Sequence, residues 1–123
     1  TAVFRRAQEG LYGRIDQYLE EQVENTVTVE DICRLFSCSR STLKQLFHTY
    51  AGRGVMESFR TKKLERAKRL IREEELNFTA ISERLQFSSV HYFSRCFKKG
   101  VGMTPTEYAR SVKVLTEGKE GVL

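Results

Sequence analysis

The stretch ICRLFSCSRSTLKQLF (residues 32–47) and the stretch ISERLQFSSVHYFSRCF (residues 81–97) carry one pattern twice. Sliding one copy on the other by 49 residues pairs Ile32 with Ile81, Cys33 with Ser82, Phe36 with Leu85 and Cys38 with Phe87. Sliding by 50 pairs Leu43 with Phe93 and Phe47 with Phe97. The offset changes among the polar residues of the turn, where one extra residue alters a loop and leaves both apolar faces intact. Two helices joined by a short turn, repeated at this length, predict a duplicated helix-turn-helix unit.

The flanking segments keep the 3.6-residue period, and no strand alternation stands out. Leu11, Ile15, Tyr18, Leu19 and Val23 form one apolar stripe, which Asn25 and Thr26 should end. Thr28 and Asp31 have the spacing of a capping box, with Val29, Ile32, Cys33 and Phe36 facing inward. Ser39 can cap the next helix, which Gly52 or Gly54 ends. From Val55 a single apolar face continues through Phe59, Lys63 or Leu64, Ala67, Leu70 and Ile71 towards Glu75. Asn77 or Thr79 can open the following helix, and Ser88 or Ser89 the one after it, ended by Gly100 and Gly102. Thr104-Pro105-Thr106-Glu107 is the sharpest start signal: a hydroxyl cap, Pro at the first helical position and Glu at the third. That last helix is expected to reach about Ser111. The expected architecture is all-α, about seven helices, with helix-turn-helix subdomains at 1–54 and 76–111, a linking helix at 55–75 and a flexible tail at 112–123.

Composition narrows the class. The chain has 123 residues, 40% of them hydrophobic, no Trp and a single Pro, which suits a helical domain with a modest core. No apolar run approaches the roughly 18 residues that would span a membrane. Opening on Thr1 without Met, the chain reads as a fragment with residues upstream. Cys33, Cys38 and Cys96 are odd in number and without paired spacing, which predicts small core residues in a reducing compartment. A metal site at Cys33, Cys38 and His48 fits zinc spacings poorly and lacks a fourth ligand.

The formal net charge of +5 is unevenly distributed. Residues 40–69 hold nine cations against Glu57 and Glu65, and residues 84–100 hold four cations and no acid. The first 39 residues carry four Arg against seven acids. Basic character confined to the two motifs and their spacer attracts a phosphate polyanion. A spacer of some twenty residues at about 1.5 Å each is roughly 30 Å long, close to the roughly 34 Å between successive major grooves on one duplex face.

The runs KLERAKRLI (residues 63–71) and FSSVHYFSRCFKKGVGMTPTEY (residues 87–108) resemble the DNA-binding domain of the AraC/XylS transcription regulators. The likeness covers about residues 11–110. It implies two helix-turn-helix motifs on a long linking helix, closed by a short helix. Departures are specific. Cys33 and Ser82 replace the usual small Ala, Ser37 and Gln86 replace the Gly of the two turns, Lys63 replaces Arg, and Ala109 stands where Arg is expected. If the turns need positive φ, Ser37 and Gln86 are mildly strained.

In a helix-turn-helix, outward residues near the start of each second helix reach base edges in the major groove. Here those are Ser41, Lys44, Gln45 and His48 in the first motif, and Val90, His91, Ser94 and Arg95 in the second. The resemblance implies the same positions. Gln45 suits adenine, Lys44 and Arg95 suit guanine acceptors, and Val90 suits a thymine methyl. Arg40, Thr42, Lys98, Lys99 and free amides at Thr104 and Thr106 suit phosphate. The expected function is sequence-specific binding of double-stranded DNA by a bacterial regulator in the cytoplasm, at the nucleoid. RNA polymerase is a further expected partner, and a homodimer would form through an N-terminal segment outside this chain. No cofactor, metal or membrane partner is expected. Catalysis is disfavoured too, because no acidic pair, phosphate-cradling Gly loop or nucleophile with a base is recognisable. An adaptor that docks an acidic protein surface would explain the charge, but not the duplicated turn.

Overall fold

The computed structural model describes residues 1–73 and 76–122, with side chains described up to Val114. Among the described residues there are seven helices and no strand: α1 Ala2–Glu21, α2 Val29–Phe36, α3 Arg40–Ala51, α4 Val55–Glu73, α5 Phe78–Arg84, α6 Val90–Val101 and α7 Pro105–Val122. None of them is long and apolar enough to cross a membrane.

Local chemistry sets the boundaries. Thr28 and Asp31 make the full capping box, and the Thr28 N–H holds the Asp31 carboxyl below its ordinary range. Ser39 Oγ accepts from the Thr42 N–H, Asn77 Oδ1 from the Ala80 N–H, and Ser89 Oγ from the Tyr92 N–H. Of the alternatives open in the sequence, Asn77 and Ser89 are therefore the caps. Gly52 at φ 71° and Gly102 at φ 92° end α3 and α6 in the left-handed conformation that glycine adopts without a Cβ penalty.

Two helices are longer than their stripes imply. The first begins at Ala2, capped by Thr1, well ahead of Leu11. Its opening turns expose Val3 and Phe4, so they leave no one-sided apolar pattern to read. The last continues past the expected end at Ser111 to Val122, where a tail was expected. Gly118 and Gly121 each cost about 1 kcal/mol relative to Ala in a helix interior, but unlike Pro they do not break the hydrogen-bond ladder.

The chain divides into two compact units, residues 1–63 and 64–123, with the division inside α4 rather than at its ends. Glu75, the expected end of the linking helix, lies outside the described residues. In the first unit Ile15 and Leu19 of α1, with Val23 just after it, pack with Ile32, Leu43, Leu46, Phe47, Val55 and Phe59. In the second, Leu64, Ala67, Leu70 and Ile71 of α4 pack with Ile81, Leu85, Phe93 and Phe97. Fully burying each Phe contributes roughly 1.5–3 kcal/mol. Helix α6 approaches α4 closely at Gly100, where an added Cβ would lie 2.7 Å from Leu64 Cδ1.

Among the described residues the buried polar side chains are Ser58, Ser82 and Lys63, of which Lys63 alone carries a charge. Only 7% exposed, it donates from Nζ to Val23 O at 2.7 Å and Asn25 O at 3.0 Å, carbonyls just beyond the end of α1. The ammonium also lies 4.6 Å from the Phe59 ring centroid. Its neighbour Lys62 reaches Asp16 at 3.0 Å and Glu20 at 3.1 Å, so adjacent lysines tie α4 to two places on α1. Partial burial opposes the Lys62 charge, but hydrogen bonds to the two carboxylates outweigh it and raise the pKa.

Burial pushes Lys63 down from the ordinary 10.5 to about 8. Between those values the unfolded chain keeps a proton that the folded chain has released, so this residue makes stability rise with pH. Tyr12 and Cys38, both raised mainly by burial, work in the opposite direction at alkaline pH. Denaturant unfolding of Lys63→Met and the parent across this window should therefore show the rising component only in the parent. A second expectation concerns the turns, where Ser37 sits at φ 52° and Gln86 at φ 61°. Ser37→Gly and Gln86→Gly should each raise the unfolding free energy by about 0.5–1 kcal/mol, as relief of left-handed strain exceeds the entropy cost of glycine.

Candidate nucleic-acid interface

The duplication seen in the sequence is a duplication of backbone. At an offset of 49 residues the caps Thr28 and Asn77 correspond, as do the left-handed residues Ser37 and Gln86. The same offset relates two turn-closing bonds, Cys38 N–H to Cys33 O at 3.1 Å and Phe87 N–H to Ser82 O at 2.9 Å. From the second cap onward the offset is 50: Ser39 with Ser89, α3 with α6 at 12 residues each, Gly52 with Gly102, and the starts of α4 and α7. Ser88 is the extra residue, placed between the closed turn and the cap. It lengthens the loop without rotating either helix out of register with its own core.

This register decides which side chains face out. On α3, Leu43, Leu46 and Phe47 are buried, while Ser41, Lys44, Gln45 and His48 are all exposed. The spacing of those four, i, i+3, i+4 and i+7, places them on one face. On α6, Phe93 and Phe97 are buried, His91, Arg95 and Lys98 are exposed, and Val90 and Ser94 are half-buried at the rim of the same face. Lys44 corresponds to Ser94, Gln45 to Arg95 and His48 to Lys98. Neither helix contains an acidic residue. Each unit therefore presents one polar, cationic helix face that its own core does not use.

The residues expected on phosphate fare less uniformly. Lys98 and Lys99 are exposed in the last turn of α6. Arg40 is exposed but pairs with Glu30 of α2. Thr42 belongs to the α3 cap, its hydroxyl oxygen accepting from Ser39 Oγ at 3.0 Å. Thr104 is engaged within its own capping box. Its hydroxyl donates to Glu107 Oε1 at 3.0 Å and accepts from the Glu107 N–H, and its own N–H points to the same carboxylate at 3.5 Å. The capping box thus satisfies the Thr104 donors and places a negative charge at that helix start. Thr106 is exposed.

Two contacts escaped the sequence reading. The Arg95 guanidinium lies 6.0 Å from the Tyr92 ring centroid. Arg72 Nη1 donates to Tyr108 Oη at 2.9 Å, joining the end of α4 to α7. The spacing of Tyr92 and Arg95, three residues apart on a helix, was available as a signal. The Arg72 contact spans 36 residues and left none.

The description "Helix-turn-helix domain" fits residues 32–111, more than half of the chain. Over 101 residues the chain is 30% identical to the HTH-type transcriptional activator RhaR of Enterobacter sp. (strain 638), covering 82% of this chain and 36% of that protein. It therefore spans about a third of the length of this curated relative. Among solved structures, an AraC-type transcriptional regulator from Chromobacterium violaceum superposes with a TM-score of 0.80 at 22% identity, covering 87% of this chain and 96% of the other. The DNA-binding domain of AdpA, solved in complex with a target DNA, superposes with a TM-score of 0.78 at 18% identity, covering 84% of this chain and 93% of the other. At these identities the structural likeness establishes the fold. The match over residues 32–111 makes the chain a member of the helix-turn-helix domain family, and its fold is that of the AraC-type DNA-binding domains it superposes on.

Proposed function

We propose that α3 and α6 are two unlike recognition helices that enter successive major grooves on one face of a duplex. The observation that carries this is the coincidence of register and charge. Two helices with the same caps and length, and with Leu43 and Phe47 matched by Phe93 and Phe97 in burial, each leave one outward face, and both helices are free of acids. Helix α4 runs unbroken for 19 residues, about 28 Å, which suits one turn of DNA between readers. A stiff spacer loses less conformational entropy on binding than a flexible one.

In this reading Ser41, Lys44, Gln45 and His48 meet bases in one groove, and Val90, His91, Ser94 and Arg95 in the next. Gln45 is matched to adenine by its paired donor and acceptor, and Arg95 to guanine by two parallel donors. Arg40, Thr42, Lys98, Lys99 and the Thr106 amide lie against phosphate, while Thr104 serves as the cap that orients α7. Because the two faces differ at every corresponding pair, one copy reads a non-palindromic site of about two helical turns, or bends the duplex to engage both motifs. RNA polymerase and a second copy of the protein are the further proposed partners. The proposed location is the cytoplasm, at the nucleoid.

Selection of bound duplexes from a random pool, followed by gel shift, tests the scheme directly. Absence of duplex binding at low salt would refute it. On a selected site Arg95→Ala should cost about 1–3 kcal/mol and relax a single base position. Equal weakening on every sequence would remove Arg95 from base reading. Lys98→Ala and Lys99→Ala should each weaken all duplexes alike and reduce the slope of log affinity against log salt by about 1.

A further inference from the structure

Arg95 is exposed, and a long exposed side chain ordinarily samples many rotamers before it meets a base. Here it is not left to itself. Its guanidinium carbon lies 6.0 Å from the centroid of the Tyr92 ring, one turn back on α6 and within reach of cation–ring attraction. The ring is itself held. Tyr92 is half-buried and packs against Phe87 with centroids 6.1 Å apart, and Phe87 meets the fully buried Phe93 edge-on at 5.2 Å. A chain of rings thus runs from the core of the second unit out to the tip of Arg95.

The first unit has no counterpart. At the corresponding positions Thr42 stands for Tyr92, Cys38 for Phe87 and Gln45 for Arg95. None of the three offers a ring or a cation. The stack is therefore no by-product of the repeated fold, because the same backbone is built without it forty-nine to fifty residues earlier. It belongs to the one reader whose outward face carries an arginine at this position.

We infer that Tyr92 is a positioning residue that holds the Arg95 guanidinium against its ring before DNA arrives, so that the second motif reads its base with a largely ordered side chain. The inference rests on Arg95 as a base reader. A guanidinium held by its face on the ring would keep its edge donors free for a guanine O6 and N7. Tyr92 needs no contact with the nucleic acid in this role. Its contribution is the rotamer freedom that Arg95 no longer loses on binding.

The test has two readouts on the intact chain. In the DNA-free protein, ring current from Tyr92 should shift the Arg95 side-chain methylene protons upfield, in the parent and in Tyr92→Phe but not in Tyr92→Leu. On a selected duplex, Tyr92→Leu should lower discrimination at the base pair that Arg95→Ala relaxes by about two- to fivefold, the size of an exposed cation–ring contact, while Tyr92→Phe keeps it. Tyr92→Leu added to Arg95→Ala should cost no further discrimination. An equal loss in that background would make Tyr92 a packing residue and overturn the inference, as would unshifted methylene protons in the parent. If Arg95→Ala relaxes no base pair, base reading by Arg95 fails and the purpose given to the stack fails with it. The free-protein spectrum then still reports separately whether the stack exists.

Discussion

Helix α4 buries Val55 and Phe59 in one core and Leu64, Ala67, Leu70 and Ile71 in the next, so one unbroken hydrogen-bond ladder must serve both. The repeat explains how a single helix comes to do this. Measured from the left-handed glycines Gly52 and Gly102, α4 begins where α7 begins. Its first half is the closing helix of the first motif, as α7 is of the second. Its second half supplies the second core with what α1 supplies to the first. Fusing the two roles removes a loop between units, and with it the conformational entropy that such a loop would carry.

Fusion also constrains what stands at the seam. Lys63 is the last residue of the first unit and Leu64 the first of the second. An apolar side chain at 63 would leave the Val23 and Asn25 carbonyls without the ammonium donor that now reaches both. Those carbonyls lie where the chain leaves α1, and such groups need partners once buried. The charge is costly there, as its depressed pKa indicates. Two carbonyl acceptors and the Phe59 ring are the compensation. A lysine on the apolar face of a helix thus has a structural role that periodicity alone cannot reveal.

How much was legible in the sequence follows from what each feature depends on. Caps, the capping box, the turn positions and the change of offset depend on residues a few places apart, and all of these could be read. The positive φ at Ser37 and Gln86 could be anticipated only through the family resemblance, because neither residue announces a left-handed conformation as Gly would. The start of α1 was hidden because Val3 and Phe4 stay largely exposed. The extent of α7 was hidden because two glycines resemble a stop signal without enforcing one. At the site, the outward faces of α3 and α6 were legible from their spacing. Thr104 and Glu107 form the capping box that their spacing implies.

The two readers differ in how their cations are held, and this bears on how each would meet DNA. In the first motif Arg40 begins in an ion pair with Glu30, an exposed contact of the kind worth at most about 1 kcal/mol. A phosphate that replaces Glu30 gains the contact of a cation already near its position, but must first displace a carboxylate. The second motif has Val90 in place of Arg40 and Thr79 in place of Glu30, so no such exchange is built into it. Its cations Arg95, Lys98 and Lys99 share a helix with no acid at all. In the proposed mode of binding, the second motif is therefore the part of the chain whose approach to a polyanion is opposed least, and the first engages by exchanging one partner for another. The same backbone, repeated, thus carries two different electrostatic starting points.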